Sequence, residues 1–231
     1  MNLPLILLPG MMCDARMFAP QIAELSAQHP LVLMPLTGRT SIKQIAEDIL
    51  QLAPNRFALL GLSMGGIVAM EIIRQAPERV SRLALLDTNP LADAPERASI
   101  REQQIKTVEA GELRSVMRDE MKPMYLAEGK NKAATLDLCM DMAEALGPQV
   151  FIEQTIALKT RADQCDTLKK IQVPTLIACG EHDSLCPLEK HQLMHELVAG
   201  SRLCVIPGAG HLPTLEQPEL TNLEIREWLN H

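Results

Sequence analysis

The chain has 231 residues, 47% of them hydrophobic, and carries a formal net charge of −7. That length fits one large domain, or a domain with an inserted subdomain, and the acidic balance argues against a nucleic-acid or anionic-membrane partner. Three Phe, one Tyr and one Trp leave most of the packing to aliphatic residues and to 13 Met.

Residues 3–8 read as a first strand ending at Pro9-Gly10. The run is too short to span a membrane, and no basic segment precedes it as in a secretory signal. A helix is predicted over 16–28, with Phe18, Ile22 and Leu25 on one face, and a short second strand over 31–34. Thr40 or Ser41 is positioned to cap a helix through Leu52, whose buried stripe is Ile42, Ile45, Ile49 and Leu52. A strand over 57–62, a helix over 64–76 and a strand over 82–86 follow. Strand and helix alternate throughout this half, which argues for a parallel sheet with helices on both faces.

The pattern changes at Thr88-Asn89-Pro90. From 91 to 170 no strand is predicted, and helical stretches fall near 95–110, 112–121, 132–145 and 148–160. Alternation resumes with a strand over 174–179, a helix over 187–199, a strand over 202–206 and a helix over 215–229. The expected organisation is an α/β core of 1–90 and 171–231 with a helical insertion of 91–170. The six cysteines (13, 139, 165, 179, 186, 204) show no C-x-x-C pair, so free thiols and a soluble cytoplasmic protein are expected. Cys179 and Cys204 fall in strands predicted to be buried, whereas Cys13 and Cys186 lie near the strand ends, where they could confer thiol sensitivity.

Gly61-Leu62-Ser63-Met64-Gly65 matches G-x-S-x-G between a predicted strand and a predicted helix. A turn sharp enough to lift a serine clear of the sheet crowds the backbone at both glycines, where a Cβ would clash. Ser63 then sits at a helix N-terminus, which favours an anion forming beside it. A serine hydroxyl needs a base, and the base needs an orienting group. Asp183 and His211 each follow a later strand, at the same sheet edge and in the order Ser, Asp, His. Asp87, after the fourth strand, is the alternative acid. Among the other histidines, His29 precedes a proline, His182 adjoins the acid and His231 is terminal. His191 and His195 lie four apart on one helix, a spacing open to zinc, although a solvated helix face is the expected reading and no metal or cofactor is expected. Backbone amides of Met11 and Met64 are placed to bind an oxyanion. Met12, Met117, Met121 and Met124, with Met140 and Met142, are candidates for an adaptable substrate wall.

Four stretches carry a family resemblance: Leu-Leu-Pro-Gly-Met-Met (7–12), Gly-Leu-Ser-Met-Gly-Gly (61–66), Gly-Glu-His-Asp (180–183) and Gly-Ala-Gly-His-Leu-Pro (208–213), with Leu215-Glu216-Gln217-Pro218 beyond. Over 1–90 and 171–231 the chain resembles the α/β-hydrolase superfamily. In particular it is similar to small cap-bearing carboxylesterases of the pimeloyl-carrier-protein methyl ester esterase kind, and to menaquinone-pathway lyases on the same scaffold. The resemblance implies an α/β-hydrolase fold: a six-stranded parallel sheet flanked by helices, without the usual N-terminal hairpin, with strand 31–34 at an edge and a helical cap inserted after the fourth strand. It matches Ser63, Asp183 and His211 to the catalytic triad, and Met11 and Met64 to the oxyanion hole. Pro9 stands where the family usually has histidine.

The implied activity is cleavage of a small carboxylic ester or thioester through an acyl-enzyme. Carbon–carbon hydrolysis, lyase chemistry or a hydrolase-fold receptor are the alternatives, because fold does not fix reaction. The expected partner is a small-molecule substrate, with Arg97, Arg101 and Arg114 as a candidate basic patch for a carrier-linked one.

Overall fold

The computed structural model describes residues 3–230. Six strands form one sheet: β1 (Leu5–Leu8), β2 (Leu31–Leu33), β3 (Phe57–Leu62), β4 (Val80–Leu86), β5 (Thr175–Gly180) and β6 (Arg202–Ile206). Their spatial order is β2-β1-β3-β4-β5-β6, and every neighbouring pair is parallel. Parallel pairing demands a crossover between successive strands. Such crossovers contain α1 (Ala19–Leu25), α2 (Ile42–Leu52), α3 (Met64–Gln75) and α8 (Leu188–Leu197), while α9 (Pro213–Glu216) and α10 (Pro218–Asn230) follow β6. Between β4 and β5 lie α4 (Pro95–Glu109), α5 (Leu113–Ser115), α6 (Lys132–Lys159) and α7 (Cys165–Leu168).

Strand alternation splits the core into two layers. Ile6 and Leu8 pack with the apolar stripes of α2, α3 and α8, while Leu5 and Leu7 pack with Leu25 of α1 and Ile225 and Trp228 of α10. Central strands β3 and β5 are buried along their whole length, as two covered faces require. Short β2 forms one edge, where little unpaired backbone is left to template association.

Differences from the sequence-based elements have local causes. Pro20 divides the first helical stretch: Ala15–Phe18 winds as a 3₁₀ turn capped by the Asp14 carboxylate before α1 begins. Strand β4 starts two residues early because Val80 pairs with Phe57. Past α5, Val116–Met121 is π-helical, and α6 kinks at Gly147, whose φ is +82°. Pro218 splits the last helix into α9 and α10. Among the described residues, no helix is long and apolar enough to cross a membrane. All six cysteines are free, and Cys204 is half-buried rather than buried because β6 is the other sheet edge.

Candidate active site

Ser63 joins β3 to α3 with φ 55° and ψ −116°, outside the regions a non-glycine residue ordinarily adopts. Backbone bonds hold it there: its amide donates to Leu86 O at 2.9 Å, and its carbonyl accepts from Gly66, Ile67 and Thr88 Oγ1. A Cβ on Gly61 would fall onto the Gly65 carbonyl, and one on Gly65 onto the Leu8 carbonyl. Both positions therefore need glycine. Strain of this kind costs about 1–3 kcal/mol and persists where surrounding structure over-determines it.

Three side chains converge on this turn. His211 Nε2 lies 2.8 Å from Ser63 Oγ, and His211 Nδ1 lies 2.8 Å from Asp183 Oδ2. The other Asp183 oxygen accepts from the Leu185 and Cys186 amides at 2.9 and 3.0 Å. Burial works against the Asp183 charge, but His211 and these two amides hold the carboxyl below its usual range. It is an anion at neutral pH, suited to orient an imidazole and to stabilise its protonated form.

Asp87, the alternative acid, does not bond the imidazole. It is fully buried at the end of β4, with φ 47°, and its Oδ1 accepts the Gly180 amide at 2.8 Å. Burial, then the nearby Asp183 charge, pushes its carboxyl well above the usual range.

The expectation for His191 is corrected. It is fully buried, not part of a solvated face, because α8 turns it inward beneath the site. There Nε2 accepts the Thr88 amide at 3.1 Å, and burial lowers its pKa to about 4. His195 is exposed and bonds Ser201, so the two histidines do not converge on a metal. His29 and exposed His182 lie apart from Ser63, and His231 falls outside the described residues. Asp183, Cys186 and His211 do bring ligand atoms within 4.8 Å of one another. Yet the Asp183 oxygens and both imidazole nitrogens are already engaged, and burial keeps the Cys186 thiol protonated. The Cys13 thiol is likewise pushed up by burial, which suppresses thiolate reactivity at both cavity cysteines.

Met64 occupies the first turn of α3, where an amide has no intrahelical acceptor, and Met11 lies in the turn after β1. Both residues line a cavity of about 510 Å³ that contains Ser63 and His211. Of the four methionines expected in the substrate wall, Met121 and Met124 line this cavity. Met12 and Met117 do not: both are 1% exposed and belong to the main apolar core. The Met12 backbone, at φ 55°, donates to Gln154 Oε1, and Met117 lies on the π-helical turn that packs inward. Met140 and Met142 are core residues too. The three arginines form no single patch, because Arg114 pairs with Glu144 while Arg97 and Arg101 face the cavity.

Two further side chains support the site: Gln154, which no motif marks, and Glu216, which stands in the 215–218 stretch of the resemblance without an expected role. Gln154 of α6 accepts the Met12 amide and donates to Leu36 O, both at 2.9 Å, bracing the turn that carries Met11. Glu216 accepts the Gly210, Leu212 and Ala127 amides at 2.8–2.9 Å, tying the His211 loop to the helical insertion. His211 itself donates its amide to Tyr125 O at 2.7 Å.

Residues 5–222 match the alpha/beta hydrolase family. Among curated proteins, the chain is 26% identical over 231 residues to a pimeloyl-[acyl-carrier protein] methyl ester esterase of Pectobacterium carotovorum, covering 94% of this chain and 91% of that one. A Klebsiella pneumoniae protein of the same name is 29% identical over 236 residues, covering 93% of this chain and 88% of its own. Among solved structures, a thermophilic esterase from Thermogutta terrifontis superposes with a TM-score of 0.91 at 29% identity, covering 99% of this chain and 90% of that one.

Proposed function

The chain belongs to the alpha/beta hydrolase family and is an enzyme of the esterase type, and from that premise we propose that it cleaves a small carboxylic ester or thioester through Ser63. One observation carries the reading: the hydrogen-bonded line Asp183–His211–Ser63 opening into the cavity. His211 takes the Ser63 proton as Oγ attacks the carbonyl, and Asp183 holds the imidazole in the tautomer that accepts at Nε2. The Met11 and Met64 amides receive the developing oxyanion. His211 then protonates the leaving alcohol or thiol, giving an acyl-Ser63 intermediate. Water, deprotonated by the same imidazole, releases the acid and restores Ser63. Residues 91–170 act as the cap that closes the cavity over the acyl-enzyme. The curated relatives are named for cleaving a methyl ester, which supports an ester with a small alcohol group, and a cavity of about 510 Å³ leaves room for the acyl part.

The test is steady-state hydrolysis of p-nitrophenyl esters from acetate to decanoate. Multiple turnover with a chain-length optimum, reduced about 10⁴–10⁶-fold in Ser63→Ala, is the expected result. Turnover that survives Ser63→Ala at every length would remove the nucleophile assignment.

A further inference from the structure

The cavity wall contains a cluster that ester hydrolysis does not require. Asp93 lies between β4 and α4, Arg101 on α4, and Arg161 just past α6. The Asp93 side chain is 1% exposed and uses both oxygens: Arg101 Nε reaches Oδ2 and Arg161 Nη1 reaches Oδ1, each at 2.7 Å. The arginine side chains are only 13% and 8% exposed. Burial opposes the Asp93 charge, but the two guanidinium groups hold the carboxyl below its usual range. Burial lowers the Arg161 pKa too, from a starting value so high that the group stays charged. The cluster therefore carries two cations for one anion.

A latch between the two ends of the helical insertion needs only one ion pair. Arg161 already contributes more to such a latch, donating from Nε to Leu91 O and from Nη1 to Leu158 O. The second guanidinium adds an unbalanced charge where little water reaches, which is costly without a compensating anion. Arg161 Nη2 and Arg101 Nη1 find no acceptor among the described residues. Both arginines line the cavity that holds Ser63. Arg97 and Lys190 against Glu120 add further positive excess to that wall, in a chain whose formal net charge is −7.

We propose that Arg101 and Arg161 form an anion subsite that binds a carboxylate on the part of the substrate beyond the scissile ester. The proposal rests on the ester-cleaving reading of Ser63 and narrows its substrate class to esters that carry a free carboxylate. These are monoesters of a dicarboxylic acid, with the free carboxylate on the acyl side, or esters of a hydroxy acid, with it on the alcohol side. A second carboxylate balances the second guanidinium, and the free Nη groups, one on each arginine, are available to donate charge-assisted hydrogen bonds to it.

Two matched pairs test this at pH 7.5 by titrating released acid. Monomethyl glutarate against dimethyl glutarate places the charge on the acyl side, and 4-acetoxybutanoate against its methyl ester places it on the alcohol side. The charged member of one pair should be preferred in kcat/KM by about 10–100-fold, carried mainly by KM, and the favoured pair identifies the side. Arg101→Gln should pull that ratio toward one, and Asp93→Asn, which frees more positive charge, should raise it. A purely structural latch would move stability in both variants and leave the ratio alone. If the neutral members are hydrolysed as well as or better than the charged ones in wild type, the subsite is refuted while the esterase reading stands, whatever the variants do. If no ester is turned over, calorimetric titration of glutarate into wild type still decides. Binding lost in Arg101→Gln keeps the subsite and sinks the esterase reading, and no binding refutes the subsite.

Discussion

The sheet and the helical stretch between β4 and β5 are built on different rules. In the sheet, β3 and β5 are buried at every position and α3 buries ten of its residues, Met64 through Ile73. Little there can change without disturbing Ser63. Across the insertion, α4 buries only Val108 of its fifteen residues, the next turn is π-helical, and α6 is kinked. The sheet edge holds the groups that make and break bonds. The insertion supplies Met121, Met124, Arg97, Arg101 and, at its end, Arg161 to the cavity wall. On this division, substitutions at the sheet edge should slow every ester alike, and substitutions in the insertion should change which ester is preferred.

The largest expected effect tests the first half of that statement. Asp183→Asn leaves the Leu185 and Cys186 amides an acceptor but favours the wrong imidazole tautomer, and should cost about 10⁴-fold in kcat. The loss should be equal for acetate and octanoate esters. A loss confined to one chain length would mean that Asp183 shapes the pocket instead of serving His211. Within the insertion, Met117→Ala and Met124→Ala should separate cleanly. Met117 is 1% exposed in the core, and truncation should cost about 2–5 kcal/mol of stability by chemical denaturation. Met124 is 39% exposed on the cavity wall, so its truncation should cost under about 1 kcal/mol and shift the chain-length optimum upward. A stable Met117→Ala with altered chain-length preference would reverse the two assignments.

This division also explains what could be read from the residues alone. Gly61, Ser63 and Gly65 announce themselves because a strained turn tolerates so few residue types, and the parallel sheet follows from short apolar runs alternating with amphipathic helices. Asp183 and His211 each occupy a strand-exit loop, a position that sequence order reveals. Met12 and Met117 were indistinguishable from Met121 and Met124 by composition, since methionine suits a core and a cavity wall equally. The positive φ at Met12 sets it apart, whereas Met117 and Met121 share one π-helical turn and differ only in which side of it is buried. Gln154 and Glu216 hold the Met11 turn and the His211 loop by accepting backbone amides; the 215–218 stretch marks Glu216 but not what it bonds, and nothing local marks Gln154. The spacing of His191 and His195 does not reveal that one is buried and the other exposed. What governs His191 is the Thr88 amide, 103 positions away in sequence, which needs a buried acceptor.

The smallest effect concerns Asp87, where the sheet edge holds a second carboxyl close to Asp183. Asp87 Oδ1 accepts the Gly180 amide, while among the described residues no donor reaches buried Oδ2, which leaves it free to carry a proton toward the Asp183 carboxylate. Burial and the Asp183 charge, with a smaller push from Glu216, raise its pKa. The native state therefore keeps a proton that the unfolded chain releases above about pH 4. From there up to the raised native value the native state binds more protons, so stability falls as pH rises, by up to about 1.4 kcal/mol per unit. The lowered pKa of Asp183 acts below this window. His191 acts partly within it with the opposite sign, since neutral burial at a pKa of about 4 makes stability rise toward pH 6.5. Asp87→Asn keeps an oxygen for Gly180 and removes the titration, while His191 is common to both proteins and cancels in the difference. The melting temperature of the variant minus that of wild type should therefore grow as pH rises above about 4, by about 2–4 °C for each kcal/mol recovered. A difference that stays flat with pH, or shrinks, would show that Asp87 is ionised in the native state. The sheet edge would then be holding two adjacent carboxylates rather than one carboxylate and one acid.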